Sequence, residues 1–260
     1  MMKSEGLFRV SFAFSVLFFF NFATNVGFSD DSSKPNFVVI LCDDLGIGDV
    51  QCFNPKLGKI KTPAIDKLAK NGMSFTDAHS GSSVCTPTRY GLLTGRYAWR
   101  TSLQTGVASG FGPCLIKEER ISLGKFLQAD GYDTALIGKW HLNMKFIKDG
   151  KELVGKPLKF TPPVGATSPD GPIARGFDYF YGIHHARSMK AIIEQDKVTK
   201  HDPPINFLPS LETKAVKYLK ERSKSEKPSS CTFRLVRLTR QSSPPKNGRA
   251  PAGLEHTQIL

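Results

Sequence analysis

Cysteine is scarce, five in 260 residues, too few for a disulfide-dense miniature scaffold. No apolar run spans a bilayer comfortably: the longest, Val10 to Ala23, has about fourteen residues. No Asn-x-Ser/Thr sequon occurs, so N-glycosylation is not expected. There is no internal repeat and no low-complexity block. A dense Lys/Arg run with interleaved aromatics is also missing, so nucleic-acid binding is not expected despite a net charge of +13.

What is present bounds the chain further. The length suits one large domain or two small ones and can bury a sizeable core. A hydrophobic fraction of 40% with 23% charged residues excludes a wholly disordered chain. Of the net charge, +1 falls in residues 1–29 and +4 in residues 229–260, leaving +8 between them. Such a surface favours anionic substrates. Lys3 and Arg9 precede the apolar run, and Gly27-Phe28-Ser29 follows it. This is the layout of a signal peptide over residues 1–29, cleaved after Ser29. The mature protein is then expected in the secretory pathway, lysosomal or extracellular, without a stable membrane span. From residue 229 Ser, Pro and Arg dominate and neither helix nor strand period persists, so 229–260 reads as a disordered basic tail.

Strands and helices alternate between these ends. Asn36 to Cys42 is an apolar, β-branched run that ends at Asp43-Asp44, a buried strand presenting two carboxylates. Thr62 as N-cap and Pro63 in the first turn open a helix that stops at Asn71-Gly72. Met73 to Ala78 is expected as a second strand, Pro87 to Leu93 and Ile121 to Ala129 as helices, and Thr134 to Gly138 as a strand. Residues 142–175 read as a long excursion, and Leu208 to Arg222 as a helix. The alternation argues for an α/β sandwich around a largely parallel sheet.

One segment carries chemistry. Ser83 to Arg96 reads SVCTPTRYGLLTGR, with Cys85-x-Pro87-Thr88-Arg89 followed by Leu93-Thr94-Gly95-Arg96. This resembles the signature of the formylglycine-dependent, arylsulfatase-like sulfatases. Thr88 stands where that family has Ser or Ala. The resemblance covers Asn36 to Pro228 and implies an alkaline-phosphatase/sulfatase-like fold, incomplete at its C-terminal side. It further implies that a formylglycine-generating enzyme oxidises Cys85 to Cα-formylglycine in the secretory pathway. One hydroxyl of the hydrated aldehyde would attack the sulfur of a sulfate ester and expel the alcohol. The other would lose its proton, so that collapse to the aldehyde ejects sulfate. A cysteine thiol lacks that release step.

The same resemblance assigns roles by position. Asp43 and Asp44 match paired metal-binding aspartates and, with residue 85, would hold Ca2+ or another divalent cation. Arg89, one helical turn past Cys85, would steady the formylglycine and the carboxylates. Gly138 to His141 matches a Gly-Lys-Trp-His segment: Lys139 would contact sulfate, and His141 would bind the second hydroxyl and act in release. As strand residues, 139 and 141 are expected to face one pocket. Arg175 to Gly182 also resembles the family, as a scaffold turn. His184 and His185 read as surface-loop residues that could touch substrate, and Asp49 as a capping residue. Cys42, Cys52 and Cys114 leave disulfide pairing open.

The resemblance stops after Pro228. The family's Ser-Pro-His-Thr-like loop, its further Asp/Asn pair and its second sulfate-binding Lys have no counterpart. Codon degeneracy nevertheless permits a shifted frame after Pro228 that reads a Ser-Pro-His-Thr-Pro loop. Residues 229–260 are therefore expected to be a frameshifted tail, and the chain as written to be unstable and weak or inactive. The competing expectation is a non-catalytic secreted protein that binds anionic polysaccharide. A phosphoryl hydrolase on the related fold would normally place Ser or Thr where Cys85 stands.

Overall fold

The computed structural model describes residues 34–154 and 160–234. The signal peptide expected over 1–29 and most of the expected tail lie outside these residues. Strand β1 (Phe37–Leu41) leads to helix α1 (Pro63–Asn71), α2 (Cys85–Thr94) and α3 (Leu123–Ala129). Strand β2 (Asp133–Lys139) follows, then the two-residue strands β3 (Ile147–Lys148) and β4 (Lys151–Glu152). The chain continues through β5 (Tyr179–Ile183), β6 (Ala191–Glu194), β7 (Lys197–His201), α4 (Phe207–Arg222) and β8 (Ser229–Arg234).

Six strands form one sheet in the order β1-β8-β2-β5-β6-β7. The first four run parallel, and β5, β6 and β7 form an antiparallel meander. Strand alternation sends β2 side chains into two cores. Leu136 joins Phe180, Trp140, Tyr90 and Leu93 on one face. Ala135 and Ile137 join Tyr181, Ile183, Phe207 and Leu211 on the other. Helix α2 thus packs on one side and α4 on the other, the expected α/β sandwich.

Three local expectations are corrected. Met73 to Ala78 forms no strand. Met73 is 77% and Phe75 72% exposed, and none of the described strands pairs with this segment. Thr62 does occupy the N-cap position but makes no side-chain cap bond. Its hydroxyl donates to Asp66 Oδ1 at 2.9 Å and accepts from the Gln51 N–H at 2.9 Å. Finally, Ser229–Arg234 is not irregular but the interior strand β8, paired parallel to both β1 and β2. Ser229, Ser230, Cys231 and Thr232 are all buried there. These small side chains fit between two strands, although their polarity hid the strand from a hydrophobicity reading.

Two features position the far ends of the strands. Gly182 lies opposite Gly138, and a Cβ on Gly182 would sit 1.8 Å from the Gly138 carbonyl oxygen. Glycine is required for β2 and β5 to approach this closely. The Arg175 to Gly182 segment is indeed a scaffold. Arg175 Nε donates to Ile116 O at 2.7 Å, the Ser122 hydroxyl donates to Arg175 O, and Asp178 accepts from the Thr134 N–H at 2.8 Å. At the opposite edge β1 pairs only with β8 among the described residues. Phe37, Val38 and Ile40 are exposed there, so β1 is an open apolar edge and not the buried strand its apolar run suggested.

Candidate active site

The parallel strands β1 and β2 end side by side, separated only by β8, and α2 begins above them. Asp43 follows β1, Lys139 closes β2, and Cys85 starts α2 with Arg89 one turn on. Lys139 Nζ donates to Asp43 Oδ2 at 2.7 Å, and Arg89 Nη2 reaches the same oxygen at 3.4 Å. Arg89 Nη1 also donates to the Lys139 carbonyl at 2.8 Å. Both cationic side chains are almost wholly buried, 2% exposed for Arg89 and 4% for Lys139. Burial pulls the Arg89 pKa below its ordinary value, while the nearby Asp43 and Asp44 carboxylates oppose that shift. The structure thus brings Asp43, Lys139, Arg89 and Cys85 into one electrostatic cluster.

His141 reaches the site differently from the strand-face expectation. Strand β2 ends at Lys139, and His141 adopts a left-handed backbone with φ 54°. Asp44 (φ 61°) and Asn143 (φ 59°) share this conformation. Non-glycine residues of this kind gather where the surrounding structure holds them for function. His141 Nε2 donates to Ala108 O at 3.0 Å. A carbonyl can only accept, so Nε2 carries the proton of the neutral ring and Nδ1 is bare. Nδ1 is buried and has no hydrogen-bond partner among the described residues. Burial, then the charges of Lys139, His185 and Arg89, push the His141 pKa down to about 2.

Two residues matter more than their sequence context suggests. Thr86, inside the Cys-Thr-Pro-Thr-Arg run, is fully buried and bonds the His141 backbone. Nothing in its spacing marks it, because its partners lie far along the chain. His185 is 4% exposed rather than a surface-loop residue, and His184 is fully buried. The His185 ring meets the His141 ring edge-on at 4.4 Å. His184 packs instead against Phe111 and Phe146. Asp49 caps its own turn, accepting from the Gly46 N–H at 3.2 Å. All five cysteines are free, so neither Cys42 nor Cys114 takes part in a disulfide.

The donor set fits a hard divalent cation in part. Asp43 and Asp44 offer carboxylate oxygens, the ligand type that calcium takes. Calcium needs about six to eight oxygens, and no cluster of three or more His, Cys, Asp or Glu ligands occurs among the described residues. Two carboxylates and residue 85 are therefore too few, among the described residues, to complete such a shell.

Comparison with known proteins agrees with this geometry. The sulfatase family model matches residues 35–220. An N-acetylgalactosamine-6-O-sulfatase of Bacteroides thetaiotaomicron is 44% identical over 114 residues, which are 44% of this chain and 22% of that protein. Human steryl-sulfatase is 38% identical over 163 residues, 60% of this chain and 24% of the relative. Among solved structures, a Bacteroides thetaiotaomicron protein described with the metabolism of multiple glycosaminoglycans superposes with a TM-score of 0.66. It shares 23% identity, with 81% of this chain covering 52% of that one. The chain therefore spans about a quarter of the curated relatives it matches and about half of the solved structure. With the family model matched over residues 35–220, more than half of its length, this chain belongs to the sulfatase family.

Proposed function

We propose that this chain supplies the formylglycine-bearing side of a sulfuric ester hydrolase acting on sulfated sugars or aryl sulfates. The observation that carries the reading is the 2.7 Å contact of Lys139 with Asp43, beside the helix start occupied by Cys85. It joins a carboxylate, a buried cation and a nucleophile position that lie far apart in sequence. The names of the relatives, an N-acetylgalactosamine-6-O-sulfatase and a steryl-sulfatase, support the substrate class.

The chain's own residues divide the work. Asp43 and Asp44 would hold one side of a divalent cation, which when bound supplies positive charge to the sulfate oxygens. Residue 85, as formylglycine, would supply the hydroxyl nucleophile and the second hydroxyl used in release. Lys139 Nζ holds a sulfate oxygen and orients the ester. Arg89, anchored on the Lys139 carbonyl, keeps Asp43 in place. The α2 N-terminus at residue 85 adds backbone N–H groups that favour an anion. His141, with its bare Nδ1, would accept a hydrogen bond from the second hydroxyl and orient it for release. With only these two carboxylates among the described residues to hold the cation, weak or no turnover is expected.

The wider readings belong with this proposal. A signal over residues 1–29 directs the chain to the secretory pathway, lysosomal or extracellular. Residues 30–228 are the family's N-terminal part. Sequencing the transcript across codon 228 tests the shifted frame proposed for 229–260. A strand at Ser229–Arg234 does not by itself decide the frame. For the activity, the chain is expressed in a secretory host with a formylglycine-generating enzyme. The peptide containing residue 85 is weighed, and aryl sulfate turnover is followed with and without calcium. Cysteine at residue 85, with no turnover even in a longer in-frame form, would overturn the reading.

A further inference from the structure

Thr86 sits in the first turn of α2, beside Cys85, and is fully buried. Its hydroxyl donates to the His141 carbonyl at 3.0 Å and accepts from the Ala108 N–H at 3.1 Å. The Ala108 carbonyl accepts from His141 Nε2 at 3.0 Å. These three bonds close a ring that runs from Thr86 through the His141 backbone and imidazole to Ala108 and back. Every member is buried, so water does not compete for the bonds.

The other side of the imidazole is closed as well. His185 lies edge-on at 4.4 Å, its own Nδ1 accepting from the Arg187 N–H at 2.9 Å. Gly110 backs His185 so closely that a Cβ there would lie 2.8 Å from the His185 Cβ. The Gly110 N–H donates to Asn143 Oδ1 at 2.9 Å. A flipped His141 ring would set a carbon against the Ala108 carbonyl and forfeit its hydrogen bond. The ring has one satisfied orientation, with Nε2 protonated and Nδ1 bare.

We propose that Thr86 is a positioning residue that, through Ala108, holds His141 in its Nε2–H tautomer and leaves Nδ1 as the bare nitrogen. This deepens the hydrolase reading and rests on it only for the use made of that nitrogen. Thr86 touches neither substrate nor the reacting atoms. It couples the helix that carries residue 85 to the tautomer of His141, 55 residues away in sequence. The threonine is thereby given a reason to sit inside the Cys-Thr-Pro-Thr-Arg run. Serine could replace it, because the hydroxyl carries both bonds. Valine, of the same shape, could not.

The test is imidazole nitrogen NMR on the 15N-labelled full chain, with His141→Gln to identify the resonances. In the unaltered chain the His141 nitrogens should be widely split, with Nδ1 bare and Nε2 protonated. Thr86→Val should collapse that splitting towards the average of two exchanging tautomers, and Thr86→Ser should restore it. His185→Leu, which keeps the packing and leaves the Thr86 ring of bonds intact, should retain the splitting. A protonated Nδ1 in the unaltered chain would overturn the proposal. So would full splitting in a folded Thr86→Val protein, or its loss in His185→Leu. Should Thr86→Val fail to fold, the unaltered and His185→Leu spectra decide. None of these readouts needs formylglycine or turnover, so the failure of the hydrolase reading would show separately, in the mass of residue 85.

Discussion

Lys139 Nζ and Asp43 Oδ2 stand 2.7 Å apart although 96 residues separate them in the chain. Arg89 approaches the same carboxylate oxygen, so two buried cations depend on one partial counter-ion. Removing one partner of such a group leaves uncompensated charge in a poorly solvated site. Asp43→Ala should therefore cost about 3–5 kcal/mol of stability. Asp43→Asn, which keeps an acceptor oxygen, should cost less. Urea unfolding of the three proteins measures this, and equal midpoints would show that the carboxylate is not the counter-ion.

Calcium should stabilise the chain through Asp43 and Asp44. At about 100 times its Kd, a ligand specific to the folded state adds about 2.7 kcal/mol. The thermal midpoint should rise with calcium in the unaltered protein and not in Asp44→Ala. Alanine is disfavoured at the Asp44 φ of 61°, so each protein is compared with itself, with and without calcium. A midpoint indifferent to calcium in both would remove the metal from these residues.

Gly182→Ala should damage the site from a distance. The added methyl would meet the Gly138 carbonyl oxygen at 1.8 Å and push β2 from β5 just before Lys139. Overpacking of backbone on backbone should cost about 3 kcal/mol. Amide exchange would report it as lost protection at Trp140 and His141, whose N–H groups donate to Ile183 O and His184 O.

Asp133 links stability to pH. Burial pushes its pKa up, but hydrogen bonds and charge from Lys227 and Arg222 outweigh burial and hold it below the ordinary 3.8. A carboxyl with a depressed folded pKa contributes its stability above the unfolded value and loses it as pH falls through the folded one. Asp133→Asn should thus be less stable than the parent near neutral pH. The gap should close below about pH 4. Denaturation midpoints measured from pH 7 down to pH 2 follow this, and a gap that widened on acidification would refute it.

Residues 229–234 should matter to the sheet. A chain ending at Pro228 loses the strand that joins β1 to β2. Limited proteolysis should then cut within residues 36–78, where the form ending at Arg234 resists. Equal resistance would mean that β1 is held by something other than β8.

Much of this protein is legible in its residues taken in order. Cys85-x-Pro87-Thr88-Arg89, the Asp43-Asp44 pair and Gly138 to His141 each mark themselves locally, because each must present a particular group at the end of a strand or the start of a helix. The β2 run and the α4 stripe are visible for the same local reason, their burial period. Other features have no local mark. Ser229–Arg234 is a strand because β1 and β2 offer it an edge on both sides, whereas Met73–Ala78 pairs with no described strand. Thr86 gains its role from Ala108 and His141, 22 and 55 residues away. The sequence alone determined which groups are present and which backbone segments prefer strand or helix, since those depend on neighbours within a few residues. The tertiary structure alone decided which carboxylate meets which cation, which strand fills the interior of the sheet, and which nitrogen of His141 stays bare. Those depend on hydrogen bonds and burial between segments that the chain brings together only on folding.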